Sequence, residues 1–298
     1  ATNTIAIGRD AMSLGVLTGT DNTAIGRLAG ADLTSGQYNF FGGYSAGGNA
    51  TSAGFNVFVG YTAGFNATTA SQAIAIGRQA IGSGVMTGND NTAIGQEAGN
   101  DLTSGTYNNF MGYQAAYNAT TASNTIAIGK QAIGAGVLTG SSNIAIGYQA
   151  AYNATTGNNT VAIGSQAIGA GVMTGTSNVA IGVSAGNDLT SGTYNNFMGY
   201  QAGYNATTAA NTVAIGTNAL GYGVLTGTNN VAIGYQAGND LTSGQYNFFS
   251  GYQAAYNATT AASNIAIGRQ AIGLGVLTGT NNIAIGYQAG YDLTSGSH

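Results

Sequence analysis

The chain has no cysteine, no proline and no tryptophan, and only 5% of its 298 residues are charged. Each gap excludes something. Without cysteine there is no disulfide scaffold and no thiolate metal site. Without proline, corners must be made by residues that tolerate unusual backbone angles, chiefly Gly, Asn and Asp. Histidine occurs once, at His298, and glutamate once, at Glu97. No Ser/His/Asp triad or paired-carboxylate site can be assembled from that material, so the chain is expected not to be an enzyme and to need no cofactor or metal. A formal net charge of −4, thinly spread, supplies no basic patch for nucleic acid. No apolar run reaches the 18 or so residues of a membrane-spanning helix, so no membrane insertion is expected. The chain opens on Ala1 without Met or signal peptide, as a processed protein or an excerpt would.

What is present is glycine, 51 in all, and much of it is periodic. A glycine recurs every 17 or 18 residues from Gly8, Gly26 and Gly43 to Gly251, Gly268 and Gly286, and an alanine follows each one three positions later. That spacing is the length of one solenoid turn, and it predicts an all-β, parallel β-solenoid (a β-roll) of about 17 coils filling residues 1–298 as one repetitive domain. Before each glycine stands a short, mostly β-branched run such as Asn3-Thr4-Ile5-Ala6-Ile7-Gly8, which reads as a strand. A second apolar stretch, Gly15–Thr18 in one coil or Asp101–Thr103 in another, reads as a further short strand. At about 4.8 Å per coil the stack would be a rod about 80 Å long. Three coil types alternate, carrying Gly-Val-Leu/Met-Thr-Gly, Asp-Leu-Thr-Ser-Gly or Asn-Ala-Thr, and their order slips near residues 43–77 and 147–164.

Strand alternation divides the coil into faces. The residue just before the glycine, mostly Ile, Val or Met, is expected to fill the coil interior. The opposite face then carries the glycine and, two before it, only Ala or Phe. A face stripped of polar groups predicts burial on both sides and a chain–chain interface through Gly8, Gly26, Gly43, Gly164, Gly182, Ala6, Phe41 and Phe58. The competing reading is that glycine only supplies a special backbone angle at a corner. One residue after the glycine, all five basic residues appear (Arg9, Arg27, Arg78, Lys130, Arg269), and Tyr takes the slot eight times (Tyr44, Tyr61, Tyr113, Tyr148, Tyr200, Tyr235, Tyr252, Tyr287). This stripe is expected to be exposed, either binding a glycan or solubilising the edge of a subunit contact.

Three patterns imitate chemistry. Six Asn-Ala-Thr triplets, at Asn49, Asn66, Asn118, Asn153, Asn205 and Asn257, match a glycosylation acceptor. They share a slot with Asp32, Asp101, Asp188, Asp240 and Asp292, so a turn role explains both. Aspartates of one type lie three coils apart, about 14 Å, too far to share a calcium ion. A threonine eight or ten positions after each glycine (Thr18, Thr34, Thr51, onward to Thr294) could suit an ice-binding array, but the position shifts between coil types and a side-chain ladder explains it better.

The phrase Asn-x-Val/Ile-Ala-Ile-Gly with Ala three later resembles the head repeat of YadA-like trimeric autotransporter adhesins. Asn-Thr-Ala-Ile-Gly-x-x-Ala-Gly, at 22–30 and 91–99, is similar to the shaft repeats of phage tail-fibre proteins. The resemblance covers nearly the whole chain and implies a parallel β-roll, three chains side by side, and a location outside the cell, on a cell surface or a virion. The coils here are longer than those of the typical head repeat, and no stalk or anchor accompanies them. The expected function is a structural or adhesive fibre segment that presents a repetitive surface, its partners being further copies of itself and a host-surface glycan or protein. The other reading is a filament subunit stacking end to end, since neither the first nor the last coil looks capped; an ice-binding solenoid is a third.

Overall fold

The computed structural model describes residues 2–273 and 275–296; His298 lies outside them. The chain forms two compact units, residues 1–148 and 149–298. The first holds β1 (Ile5–Ile7), β2 (Thr23–Ile25), β3 (Phe40–Gly42), β4 (Val57–Val59), β5 (Ile74–Ile76), β6 (Thr92–Ile94), β7 (Asn109–Met111), β8 (Ile126–Ile128) and β9 (Ile144–Ile146). The second holds β10 (Val161–Ile163), β11 (Val179–Ile181), β12 (Asn196–Met198), β13 (Val213–Ile215), β14 (Val231–Ile233), β15 (Phe248–Ser250), β16 (Ile265–Ile267) and β17 (Ile283–Ile285). Within each unit every strand pairs in parallel with the next in sequence, and equivalent residues lie opposite one another, as Ala24 does Phe41 and Ala180 does Phe197. Both units are therefore parallel β-solenoids with one strand per coil.

Each strand is three residues long because the repeat glycine ends it. Gly164 has φ +131°, a region closed to side chains, and a Cβ there would come within 2.5 Å of the Gly182 carbonyl oxygen in the next coil. The corner reading of this glycine is the right one. Two positions later the backbone turns again: every residue in that slot, from Asp10 to Gln288, has φ between 48° and 59°. Side chains there pay local strain, and an inter-coil hydrogen bond from the same residue's N–H holds it, as in Gln131 N–H to Tyr113 O at 2.8 Å.

The strand faces are the reverse of the expected ones. The interior residue is the Ala or Phe two before the glycine: Ala127, Phe110 and Ala214 are 0% exposed. The flanking Ile, Val and Met point outward, with Ile128 and Ile215 each 36% exposed. The cause is where the core volume comes from. Five of the coils with Ala on the strand place Ile or Leu four after the glycine (Ile81, Ile133, Ile168, Leu220, Ile272), all fully buried. Where Phe takes the strand position, that slot in the preceding coil is glycine: a Cβ on Gly99 would meet Phe110, and one on Gly186 would meet Phe197. Large faces small, at close-packed density. The expected second strand is also absent among the described residues; apart from an isolated bridge, Ala262 to Thr280, that side is a stack of turns. Its coils are joined by Thr N–H to Thr O bonds and by Thr hydroxyls donating to the same carbonyls, as Thr34 does to Thr51 O at 3.0 Å and Thr190 to Thr207 O at 3.0 Å. The threonine period is this ladder.

A buried asparagine row stands four positions before the glycine. Asn39 Nδ2 donates to Asn22 Oδ1 (3.0 Å) and to Ala53 O (2.8 Å), while its Oδ1 accepts from Asn56 N (3.1 Å) and Asn56 Nδ2 (3.0 Å). The same pattern links Asn91 to Asn108, Asn178 to Asn195, and Asn230 through Asn247 and Asn264 to Asn282. Runs end where the slot holds Ala73, Thr125 or Thr212, whose N–H takes the last oxygen. Replacing Asn39 by Leu strands several buried partners, each costing about 1–3 kcal/mol. We expect Asn39→Leu to lower the denaturant midpoint sharply and Asn39→Thr much less, since Thr already closes such runs. Gly164→Ala is expected to cost about 2–5 kcal/mol from strain and overlap together, read by the same denaturation curve.

Candidate functional surface

Residues at five, three and one before the glycine and one after it all point outward. They make a face with an aliphatic centre and two aromatic or polar edges. The centre is two rows of half-exposed side chains, such as Ile74 and Ile76, Val57, Met111, Met198, Phe40 and Phe248. One edge, missed in the sequence, carries Tyr38, Phe55, Tyr107, Tyr194 and Tyr246, which are 51–65% exposed. Each sits at φ 57–61°, which bulky residues seldom adopt, and Tyr38 stacks on Phe55 at 4.9 Å. An aromatic residue three before each buried Phe was the available signal.

The other edge is the Arg/Tyr stripe, and it is exposed as expected: Tyr44 is 37% and Tyr287 66% accessible. Its members pair with one another from coil to coil. Tyr44 stacks on Tyr61 and Tyr235 on Tyr252, each at 5.1 Å. Arg27 lies over Tyr44 (5.6 Å), Lys130 lies between Tyr113 and Tyr148 (5.9 Å to each), and Arg269 between Tyr252 (5.5 Å) and Tyr287 (5.8 Å). These are cation–π distances. Arg9 meets Asp10 at 3.4 Å and Arg78 meets Glu97 at 2.8 Å. Among the described residues Tyr200 has no such ring partner, its neighbours in the slot being Val183 and Thr217. The ring faces of the stacked pairs are turned toward neighbouring coils, which leaves edges and hydroxyls outward.

The residues assigned to a chain–chain interface lie elsewhere. Phe41 and Phe58 are 0% exposed and stack on each other at 5.4 Å inside the coils of the first unit. Gly8, Gly26, Gly43, Gly164 and Gly182 press against the backbone of the next coil of the same chain. Ala6 shares the inward slot but is exposed in β1, the first strand. The glycine face is thus an intrachain seam, and the apolar surface left open is the aliphatic one. Alternation tells which residues share a face; it does not tell which face is inside.

Behind the stripe, glutamine amides form a ladder: Gln131 donates to Gln114 (3.0 Å) and Gln253 to Gln236 (2.9 Å). Glu97 takes one rung, accepting from Gln114 (2.8 Å), Gln96 (3.3 Å) and Arg78. These bonds, led by that from Gln114, hold its carboxyl below the usual range, while burial acts against them. Burial pushes the carboxyls of Asp101 and Asp188 up. The Asn-Ala-Thr asparagines are tied to the next coil: Asn118 Nδ2 donates to Ala135 O (2.9 Å) and Asn205 Nδ2 to Tyr222 O (2.8 Å), a turn role in keeping with their slot. Among the described residues no three His, Cys, Asp or Glu side chains gather where a metal could be held. No helix of the described chain is long and apolar enough to cross a membrane. No protein-family model matches the chain, and no curated protein matches it.

The pKa shifts have opposite signs in a denaturation series. Glu97 contributes stability above its ordinary value of 4.5 and loses it as pH falls through its lower folded value. Glu97→Gln should therefore flatten the acid side of the curve. Asp101 and Asp188 cost nothing below 3.8, where they are protonated in both states, and penalise the fold as pH rises. The double change Asp101→Asn with Asp188→Asn, matching the Asn of other coils, is expected to stabilise the protein at neutral pH and not below pH 3.8. The gain should stay within about 0.5 kcal/mol, because both groups are only partly buried and remain screened by solvent.

Proposed function

We propose that this chain is a structural and adhesive fibre segment that works outside the cell, on a cell surface or a virion, with copies associating side by side. The observation that carries this reading is the outward face of each solenoid unit. Soluble monomers rarely leave long contiguous apolar strips open. Here two largely aliphatic rows, interrupted at Thr23, Thr92, Asn109 and Asn196 in one and at Gly42 and Ser250 in the other, lie side by side on successive coils, bounded by aromatic and charged edges, an order of apolar centre and polar rim found at protein interfaces. Over one unit the face measures about 40 Å by 20 Å from strand geometry. That is roughly 800 Å², what one partner contributes to a standard interface. The resemblance to adhesin head and tail-fibre repeats points the same way and favours three chains. The edges that remain outside the contact, carrying tyrosine hydroxyls, amides and a few cations, would present the repeated surface to a host glycan or protein. The scarcity of catalytic side chains agrees with a role in binding and spacing, not in turnover.

Sedimentation velocity tests the association. The chain is expected to sediment as a defined oligomer, a trimer if the resemblance holds. Ile128→Lys together with Ile215→Lys, both outward and half-exposed, should release monomers while leaving the circular dichroism spectrum and the unfolding transition close to the original. A chain that is monomeric at every concentration would overturn the proposal. So would an oligomer that the two lysines leave intact, since its contact would lie on another face.

A further inference from the structure

The Arg/Tyr stripe holds a redox chemistry that self-association does not use. Stacking in register sets like over like, so a tyrosine after the repeat glycine meets whatever fills the same slot one coil on. Among the described residues this brings two phenol rings together twice. Tyr44 stacks on Tyr61 in the first unit and Tyr235 on Tyr252 in the second, with centroids 5.1 Å apart and planes 10° and 11° from parallel. Near-parallel rings reached from one slot are related almost by a translation, so each ring atom lies about one coil spacing, about 4.8 Å, from its counterpart. The carbons beside one hydroxyl therefore face the carbons beside the other. Those are the positions at which two phenoxyl radicals couple.

Other tyrosines of the two edges are set differently. Tyr38 stacks on Phe55, which has no hydroxyl to oxidise. Tyr113 and Tyr148 are held apart by Lys130, 5.9 Å from each ring. Arg269 stands likewise between Tyr252 and Tyr287. Cations also end the two stacks: Arg27 lies over Tyr44 at 5.6 Å, and the slot after Tyr61 holds Arg78. On the remaining side Thr217 precedes Tyr235. Each stack is thus limited to two rings. The four tyrosines are 37–54% accessible, so an oxidant reaches their hydroxyls and the rings have room to swing toward one another.

We propose that Tyr44–Tyr61 and Tyr235–Tyr252 are sites of oxidative cross-linking, at which hydrogen peroxide acting through a haem peroxidase joins successive coils by a dityrosine bond. Each phenol loses one electron and one proton. The peroxide takes up both electrons and both protons and leaves as two waters. The two phenoxyl radicals form one carbon–carbon bond between ring carbons ortho to the oxygens. Each of those carbons then releases its hydrogen as a proton to its own ring's oxygen, which restores both phenols. The linked residues are 61 − 44 = 17 and 252 − 235 = 17 positions apart. The bond therefore closes a short loop in the unfolded chain and restricts it as a disulfide would. It lies within one chain, so monomers and oligomers form it alike, and this proposal and the one on association can fail separately.

Treating the dilute, intact chain with a haem peroxidase and hydrogen peroxide tests it. The chain should gain the blue fluorescence of dityrosine, lose two hydrogens in mass for each link, and run no larger than a single chain on a denaturing gel. Peptide mapping should place the links at 44–61 and 235–252. Tyr61→Phe with Tyr252→Phe keeps both ring stacks and removes one phenol from each, so the fluorescence should be lost. Tyr113→Phe with Tyr200→Phe, in the same stripe but without a stacked tyrosine, should leave it intact. Oxidation should also raise the denaturant midpoint of the unaltered chain and not that of the Tyr61→Phe, Tyr252→Phe variant. Absence of dityrosine, fluorescence that survives in that variant, or links found only at other tyrosines or between chains would each overturn the proposal.

Discussion

A buried side-chain amide has two donors and an acceptor to satisfy, and a stack of like coils satisfies them with the same residue one coil away. That requirement organises this protein. Asn247 donates to Asn230 and to Ala261 O, and its oxygen takes Asn264. Each rung is correct only if the coils above and below are in register, so the polar row fixes the register that the apolar residues alone would leave loose. A one-residue slip would strand the amides inside a dry coil, at a cost of about 1–3 kcal/mol for each group. Hydrophobic burial drives the coil closed; the asparagine row determines how one coil sits on the next.

Coil thickness follows from the same stacking. With adjacent strands about 4.8 Å apart, each layer has room for a limited volume. The layer is filled by the Ala three after the glycine and by one larger group, either Phe on the strand or a residue such as Ile133 on the turn. Phe110 with Gly99 and Ala127 with Ile133 are two solutions to one volume. The repeat glycine belongs to this constraint too. Its backbone touches the next coil so closely that no Cβ fits, which makes it a mark of intrachain contact.

The period, the strand position and the parallel stack were legible in the sequence, because each is a matter of spacing. The orientation of the strand was not. Hydrophobicity favours Ile7 over Ala6 for the interior, and it misleads when the core is supplied from residues such as Ile133 and Leu138 farther round the coil. The asparagine row was visible as a strand boundary but not as a core element, since Asn in a turn and Asn in a ladder look alike in one dimension. Tyr38 and Phe55 escaped notice because a bulky residue at positive φ is not expected from propensity. A cavity of about 300 Å³ in the first unit was hidden for another reason: it opens where Leu28, Ser45 and Thr62 stand in place of the usual Gln.

That last point bears on how a repetitive surface acquires a cavity. A side chain in a ladder is already satisfied by its neighbours: Gln253 by Gln236, Lys130 by two tyrosines. The stripe's five cations all have partners within their own chain, which leaves the stripe less to offer a ligand than its charge and aromaticity suggest. Where the ladder is interrupted, the balance changes. Three substitutions in successive coils remove the amides, open a cavity and leave Thr62 without a partner, yet they leave the strands and the backbone stack of those coils unaltered. In a solenoid the repeat carries the stability, and a cavity opens where the repeat lapses.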